Sequence, residues 1–226
     1  MKEENKIIVS ENGPYLVSGD LPLTKEIIVH DNEGISTKWK KGKSFANQGN
    51  CALCRCGASK IKPFCDGTHK RIKFDGTETA SNEKFSEQAN ETNGPELILK
   101  DAESFCSAAG FCHRAGGTWE LTENSDNPNS KKTAIQEACD CPSGRLVIYD
   151  KKTGKAIEPN FKPSISLIEN PGAECSGGIW VKGKIPIESY NGKKYEIRNR
   201  VTLCRCGKSQ NKPFCDGTHV EVGWKD

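Results

Sequence analysis

The chain has 226 residues, of which 34% are hydrophobic, and it contains 22 glycines and 11 prolines. This composition favours several small, loop-rich modules over one large core, and small modules usually need disulfides or metals for stability. The formal net charge is only +3, spread over 33 basic and 30 acidic residues, which argues against nucleic-acid binding.

Twelve cysteines dominate the chemistry of the chain. The first apolar run has only three residues, too short for the core of an export signal, and no stretch is long enough to cross a bilayer. We therefore expect a cytoplasmic protein that does not enter a membrane. In a reducing compartment, the cysteines of a chain this rich in cysteine bind metal more often than they form disulfides.

Taken in chain order, the first module spans residues 1–75. Residues 13–23 predict a strand, a glycine-containing turn and a second strand, and a longer hairpin is expected around residues 30–34. A loop then carries Cys-Arg-Cys-Gly at 54–57 and Lys-Pro-Phe-Cys-Asp-Gly-Thr-His at 62–69.

Two polar stretches, 76–94 and 155–176, read as linkers because one is rich in Glu, Asn, Thr and Ser and the other holds three prolines. They bracket a middle module over 95–154. Within it we predict a strand at 95–100, a helix at about 131–138 and a strand at 145–149.

The last module, 177–226, repeats the first. Residues 177–187 resemble 13–23 at an offset of 164, and both parts of the cysteine loop recur at an offset of 150. The first copy therefore carries about fourteen extra residues, which we assign to the longer hairpin. A whole module has been duplicated.

Each copy offers the same donors: Cys-x-Cys, then eight residues, a third Cys, three residues and a His. Asp66 and Asp216 read as helix N-caps, which would place the third Cys and the His on one helix face and aim backbone N–H groups at the thiolates. Three thiolates and an imidazole could hold one tetrahedral zinc. Paired donors at the two ends suit two metal atoms better, as in a 2Fe–2S cluster.

Both copies match the pattern C-x-C-x2-S-x3-P-x-C-D-G-T-H, and each resembles the CDGSH iron–sulfur (mitoNEET-like) family. The resemblance implies two 2Fe–2S clusters. It also implies two modules that pair through swapped β-strands, here as a pseudo-dimer inside a monomer rather than as a homodimer. The implied ligands are Cys54, Cys56, Cys65 and His69 for one cluster and Cys204, Cys206, Cys215 and His219 for the other.

Ser59 and Ser209 are candidates for cluster hydrogen-bond donors or turn formers, and both roles can hold at once. Asp66 and Asp216 are grouped with them as cofactor-binding residues. A neutral imidazole in place of a thiolate leaves the cluster less negative, which should raise its reduction potential. The imidazole must also be unprotonated to bind, so cluster retention should weaken as the pH falls.

The middle module has Cys106 and Cys112, six positions apart, and a distant Cys141 followed by proline. It resembles the divergent mono-cluster ferredoxin family, and this implies a third cluster on these three cysteines. Ala109 stands where a regular 4Fe–4S ferredoxin has a cysteine. Three thiolates suit 3Fe–4S, whereas a fourth ligand would allow 4Fe–4S; Cys139 is favoured for it over Cys175.

Three clusters leave little chain for a substrate pocket, and no catalytic triad, carboxylate pair or nucleotide loop is recognisable. We therefore expect electron transfer with a redox partner protein rather than enzymatic activity. Cluster transfer to an apo iron–sulfur acceptor, redox or pH sensing, and a zinc-stabilised interaction module are the alternatives. The expected fold class is α+β, mostly β-strands with short helices.

Overall fold

The computed structural model describes residues 4–46 and 49–226. The strands are β1 (Lys6–Val9), β2 (Tyr15–Ser18), β3 (Leu23–His30), β4 (Ser36–Ser44), β5 (Cys51–Leu53), β6 (Asn90–Asn93), β7 (Leu97–Asp101), β8 (Leu146–Asp150), β9 (Ala156–Ile157), β10 (Ser164–Asn170), β11 (Cys175–Lys182), β12 (Ile187–Glu188) and β13 (Arg200–Leu203). The helices are α1 (Thr68–Arg71), α2 (Phe85–Gln88), α3 (Thr118–Glu123), α4 (Pro128–Asp140) and α5 (Thr218–Glu221).

Strands hold 31% of the described residues, and helices hold 18% when the short 3-10 turns are included, which confirms the predicted α+β class dominated by strands. None of the described helices has the length and apolar composition that a membrane crossing requires. Residues 1–3 and 47–48 of the predicted first module lie outside the described residues, as does the beginning of the stretch searched for an export signal.

The first of three sheets has the order β12-β1-β2-β5. Strands β1, β2 and β5 come from the first module and pair antiparallel. Strand β12 comes from the second module and adds to the edge in parallel, with Ile187 opposite Ile7. The second module thus completes a sheet of the first.

The second sheet, ordered β13-β11-β10-β3-β4, shows the reciprocal exchange. Strand β3 of the first module lies parallel to β10, with Leu23 opposite Ile165. Strand β4 forms a hairpin with β3 and has no counterpart in the first sheet, so it accounts for the insertion expected around residues 30–34. The two copies pair by swapped strands inside one chain.

One apolar core joins the two copies. Ile7 and Leu53 of the first module and Ile179, Leu203 and Phe214 of the second are buried in the same cluster. Each such side chain contributes about 1.5–3 kcal/mol on burial. Because strands of both copies are needed to cover it, this core cannot be divided between two separately folding modules.

The middle of the chain forms the third sheet, β6-β7-β8-β9. Leu99 and Ile148 of this sheet pack with Ala134 and Ala138 of α4, the helix predicted at 131–138. This helix begins at Pro128, where the Asn127 side chain caps the N–H groups of the first turn.

Both segments interpreted as linkers contain regular structure, and that interpretation was wrong for their strands. Segment 76–94 includes α2 and β6, and segment 155–176 includes β9 and β10. The polar composition suggested a linker, but the polar groups of β10 find partners inside a sheet. The Ser166 hydroxyl lies 2.9 Å from that of Thr24 on β3, and Glu169 pairs with Lys25 at 2.8 Å. The exact module boundaries stay a prediction.

Candidate metal centres

The loop after β5 brings the donors of the first motif into two pairs. The Cys54 N–H donates to Pro63 O at 2.7 Å and the Cys65 N–H donates to Ala52 O at 2.9 Å, so the loop folds back on its own strand. The sulfurs of Cys54 and Cys56 lie 3.8 Å apart. Cys65 Sγ lies 3.3 Å from His69 Nδ1.

The loop after β13 repeats this geometry. The Cys204 and Cys206 sulfurs are 3.8 Å apart, and Cys215 Sγ lies 3.3 Å from His219 Nδ1. Two sulfurs bound about 2.3 Å from one tetrahedral metal would be roughly 3.8 Å apart. Each Cys-x-Cys segment therefore has the spacing of a chelate for one metal atom.

The donor side chains of each CDGSH-type loop are arranged as two pairs rather than as one group of four. Across residues 4–46 and 49–226 no group of three or more His, Cys, Asp or Glu side chains is arranged to hold one ion. A cluster with two metal atoms needs two donors on each, which is what each loop supplies: a dithiolate pair and a thiolate–imidazole pair. The residues present fit such a group by both donor type and spacing.

The helix caps differ from the prediction. The N-cap of α1 is Gly67, in the left-handed region at φ 82°, and Cys65 lies before the helix instead of on one face with His69. Asp66 instead bridges the loop by accepting from Lys60 N and Thr68 N, both at 2.9 Å, and these bonds lower the pKa of its carboxyl. The predicted N–H interaction is present: Gly67 N donates to Cys65 Sγ at 3.4 Å.

Asp216 has the same bridging role in the second loop, where it accepts from Gln210 N at 2.6 Å and Thr218 N at 3.1 Å. The N-cap of α5 is Gly217, so the Asp216 cap was also placed one residue early. The left-handed glycine starts each helix two residues before the histidine. Both aspartates therefore set the shape of the loop that carries the donors.

Ser59 and Ser209 act as turn formers. The Ser59 hydroxyl donates to Phe64 O at 2.6 Å and accepts from Ile61 N at 3.2 Å. The Ser209 hydroxyl donates to Phe214 O at 2.7 Å. Because a hydroxyl has a single hydrogen, these bonds use the donor that the cluster-bonding alternative requires.

The two sites differ in exposure. Cys56, Cys65 and His69 are half-buried, whereas their counterparts in the second site are buried, with His219 only 3% exposed. Burial lowers the pKa of His219 to about 4, which keeps the imidazole in its neutral, metal-binding form at neutral pH. The second site is the better shielded of the two.

The arginine between the paired cysteines also differs. Arg205 is 2% exposed and pairs with the carboxylates of Glu169 and Asp226, each at 2.9 Å. Arg55 is 1% exposed and donates to the backbone carbonyls of Ser10 and Gly76. Only the second site therefore has its buried cation paired with carboxylates through the bonds described here.

Each module also supports the loop of the other. Tyr15 donates from its buried hydroxyl to Cys204 O at 2.8 Å, and Trp224 Nε1 donates to Gly57 O at 3.2 Å. Sequence reasoning missed both residues. Each is an aromatic residue at the end of a strand or of the chain, and its polar atom needs a hydrogen-bond partner when the ring is buried; this was the signal that could have identified them.

Three predicted donors of the middle module line one cavity. Cys106, Cys112 and Cys141 surround it together with Ala109 and Arg145. Burial raises the pKa of Cys112 to about 12, and the neighbouring Cys141 and Cys106 thiols act in the same direction. A metal cluster would offset this cost, because metal-bound cysteines are thiolates.

Cys139 does not join these three. It lies in the last turn of α4, and its sulfur faces Ile157 O at 3.8 Å, outside the lining of the cavity. Cys141 follows the helix end, so two residues of separation turn the two side chains apart. The structure therefore does not bring Cys139, the predicted fourth ligand, to the other three cysteines, and Cys175 lies elsewhere, beside Glu169 and Ser176.

The middle cavity is held by arginines from two modules. Arg145 pairs with Asp101 at 2.6 Å within the module. Arg200, on β13 and 1% exposed, donates to Cys141 O at 2.7 Å and to Ala138 O at 2.7 Å. A residue of the second CDGSH-type copy thus positions a predicted donor of the middle site.

Comparison with known families finds matches in three regions of the chain. A family model described as "Iron-binding zinc finger CDGSH type" matches residues 12–70 and 176–220, and one described as "Divergent 4Fe-4S mono-cluster" matches residues 92–151. No curated protein matches the chain. The chain is therefore an iron–sulfur protein in which two regions of the CDGSH family flank one region of the divergent mono-cluster family.

Proposed function

We propose that this protein transfers single electrons through two 2Fe–2S clusters and a third cluster in the middle module. Cys54, Cys56, Cys65 and His69 would hold the first, and their counterparts at an offset of 150 the second. Cys106, Cys112 and Cys141 would hold the third. Such clusters supply one-electron redox chemistry, and the chain supplies the donors, the burial and the spacing.

The observation that carries this proposal is the direct contact between the two CDGSH loops. A Cβ built on Gly207 would lie 2.7 Å from Cys56 O, and one built on Gly57 would overlap Cys206 O. Glycine is required at both positions, since each has a positive φ and no room for a side chain. Redox sites whose ligand loops touch are placed for electron exchange.

The type of the third cluster can be determined from the iron content of the protein. Three cysteines line the cavity, which favours 3Fe–4S by ligand count. The matched family is described as 4Fe-4S, which favours a four-iron cluster with one iron lacking a thiolate from Cys139 or Cys175. Iron analysis of the purified protein decides between about seven and about eight atoms.

The deciding experiment combines metal analysis with visible and EPR spectra during reduction by dithionite and reoxidation by a one-electron acceptor. Electron transfer requires a coloured protein that cycles reversibly without losing iron. A colourless protein that contains zinc would overturn the proposal and favour the zinc-stabilised module. About four irons would mean that the middle module holds no cluster.

A second candidate function is cluster transfer, and the exposure of the first site favours it. Cys56, Cys65 and His69 are half-buried, so an acceptor protein could reach that cluster. Mixing the holo-protein with an apo-ferredoxin tests this: transfer predicts that iron leaves the first site and appears in the acceptor. Unchanged spectra would leave electron transfer as the function.

The proposed setting is the cytoplasm, where reducing conditions keep thiols available for metal, and all twelve cysteines are free thiols here. The proposed partner is a redox protein, and the proposed working form is a monomer, because the swapped strands are already exchanged within the chain. We propose no catalysed reaction on an organic substrate.

A further inference from the structure

We propose that the middle site exchanges electrons with the second CDGSH site, so that the three sites form a line with the second at its centre. This inference rests on the electron-transfer function proposed above and gives it an order. Neither the sequence motifs nor the family matches assign neighbours to the middle site. The order follows from contacts between the loops that carry the donors.

The first contact is between the loop of Cys106 and the start of α5. A Cβ built on Gly217 would lie 3.4 Å from Cys106 O and 3.3 Å from Ala108 Cβ. Gly217 lies two positions from each of two predicted second-site donors, Cys215 on one side and His219 on the other. The Cys106 loop therefore borders the space in front of Gly217, so the two donor loops are neighbours at this position.

The first CDGSH site provides the matched contrast. Gly67 occupies the same motif position as Gly217 and has nearly the same φ, 82° against 88°. A Cβ built on Gly67 would meet no heavy atom of the described residues within 4 Å. The middle module therefore covers this position at the second site and leaves it open at the first.

Aromatic packing reinforces the same contact. The rings of Phe105 and Phe214 meet edge to face with centroids 5.1 Å apart. Each phenylalanine directly precedes a predicted donor, Cys106 in one case and Cys215 in the other. The Asn211 side-chain amide adds a 2.7 Å bond to Ser104 O, which ties the two loops on the outside.

The opposite wall of the middle site is also held by the second module. Arg200 donates to the carbonyl of Cys141, and Arg198 on the same segment donates to Gly144 O. The middle site is thus fixed to the second module from both sides: through the Cys106 loop at Gly217 and through the Cys141 loop at Arg200. This holds the spacing of the two sites constant.

The line is completed by the contact between the two CDGSH loops at Gly57 and Gly207. In the proposed step a one-electron donor, dithionite in the test below, reduces one site. One electron then leaves the middle site as one arrives at the second site, or the reverse. No bond is formed or broken and no proton is required.

The test is EPR spectroscopy of the fully loaded, dithionite-reduced protein, with iron analysis of every variant. We expect magnetic interaction between the middle cluster and one 2Fe–2S cluster. That interaction should persist in Cys65→Ser, which removes a donor of the first site, and should be lost in Cys215→Ser. Persistence in Cys215→Ser, or absence in the unaltered protein, would overturn the proposed order.

A second pair of variants leaves every donor in place. Asparagine tolerates positive φ, so Gly217→Asn and Gly67→Asn carry similar backbone strain. Only the side chain at 217 meets the Cys106 loop, so Gly217→Asn should weaken the interaction signal and Gly67→Asn should leave it unchanged. Equal effects of the two substitutions, with iron content retained, would contradict the proposal.

The order of the sites and the proposed function can fail separately. If the interaction signal has the predicted pattern but the reduced protein passes no electrons to any one-electron acceptor, the arrangement stands and the function fails. If electrons pass but no interaction involves the second site, the function stands and the order is wrong.

Discussion

The Tyr15 hydroxyl, which belongs to the first module, donates its one hydrogen to the carbonyl of Cys204 in the second at 2.8 Å, and Pro213 O shares this hydrogen at 3.0 Å. Tyr15 is fully buried, and Trp224 returns a bond from the end of the second module to Gly57 O. Each donor loop is therefore shaped in part by the other copy. Together with the swapped strands, these bonds make the duplicated unit a single structural entity.

Replacing Tyr15 with phenylalanine should loosen the second site more than the first. The substitution keeps the ring but leaves the carbonyls of Cys204 and Pro213 buried without this donor. Loss of a buried hydrogen-bond partner costs about 1–3 kcal/mol, so we expect a reduction of that size in the free energy of unfolding, measured by urea titration. Tyr190→Phe, at a residue 53% exposed, is the control and should change little.

In Tyr15→Phe we also expect the spectrum of only one 2Fe–2S cluster to be lost faster. Comparison with Cys215→Ser assigns that spectrum to the second site. Equal destabilisation of both clusters would show that Tyr15 acts through the common core rather than through Cys204.

The sequence predicted the features that depend on repetition and short spacing. The swapped-strand pairing and the α+β class were confirmed, and the donor pairs at Cys54/Cys56 and Cys65/His69 were found close together, because ligands a few residues apart are positioned by one loop. The grouping of Cys106, Cys112 and Cys141 around one cavity was anticipated from the family resemblance instead, because Cys141 lies 29 positions after Cys112.

Features set by contacts between distant segments were not predictable. Strand β10 was mistaken for a linker because its polar residues find partners only in the folded sheet, among them Thr24 and Lys25 of β3, more than 130 positions away. Cys139 was chosen for its nearness to Cys141 along the chain, but the end of α4 turns it toward Ile157. Neither Tyr15 nor Arg200 lies in a cysteine motif, so only the fold reveals that they hold donor loops.

Single cysteine substitutions in the middle module should distinguish the predicted cluster ligands from Cys139. Cys112→Ser should abolish the middle cluster and reduce the iron content by about three or four atoms per chain. Cys139→Ser should retain all the iron, because that sulfur faces Ile157 O outside the cavity. Iron analysis and EPR of both proteins provide the measurement. Loss of iron in Cys139→Ser would restore it as a ligand.

The carboxylate of Glu169 should make stability depend on acid pH. Burial raises its pKa, but Arg205, Lys25 and the Ser176 hydroxyl outweigh burial, and the net pKa is lowered from 4.5. Because the folded-state pKa is below that of the unfolded chain, the stabilisation is complete above pH 4.5 and is lost as the pH falls through the folded value.

Glu169→Gln should therefore be less stable than the unaltered protein at pH 7, and the difference should shrink below pH 4.5. Urea unfolding followed by tryptophan fluorescence between pH 7 and pH 3.5 measures it. Glu174→Gln, at an exposed residue three positions from Pro171, is the matched control and should follow the unaltered protein. A difference that is independent of pH would exclude charge as the cause.

Chelator should remove the first 2Fe–2S cluster before the second. Cys56, Cys65 and His69 are half-buried, whereas Cys206, Cys215 and His219 are buried. We expect two phases of absorbance loss with an iron chelator, the faster one absent in Cys65→Ser and the slower one absent in Cys215→Ser. A single phase for both clusters would mean that loss is governed by unfolding of the shared core rather than by local access.

Arg200→Met should empty the middle site while sparing both CDGSH sites. The guanidinium is 1% exposed and donates to the carbonyls of Ala138 and Cys141 and to Glu158, so its removal leaves buried acceptors and a carboxylate without their donor. Each buried carbonyl left without its partner costs about 1–3 kcal/mol, which weakens the attachment of the Cys141 loop. Lys132→Met, which removes an exposed cation from α4, is the control. Iron analysis should show loss of only the middle cluster, because Arg200 contacts carbonyls of the middle module, whereas Cys204 is positioned by Tyr15. Simultaneous loss of a 2Fe–2S cluster would show instead that Arg200 holds β13 itself in place.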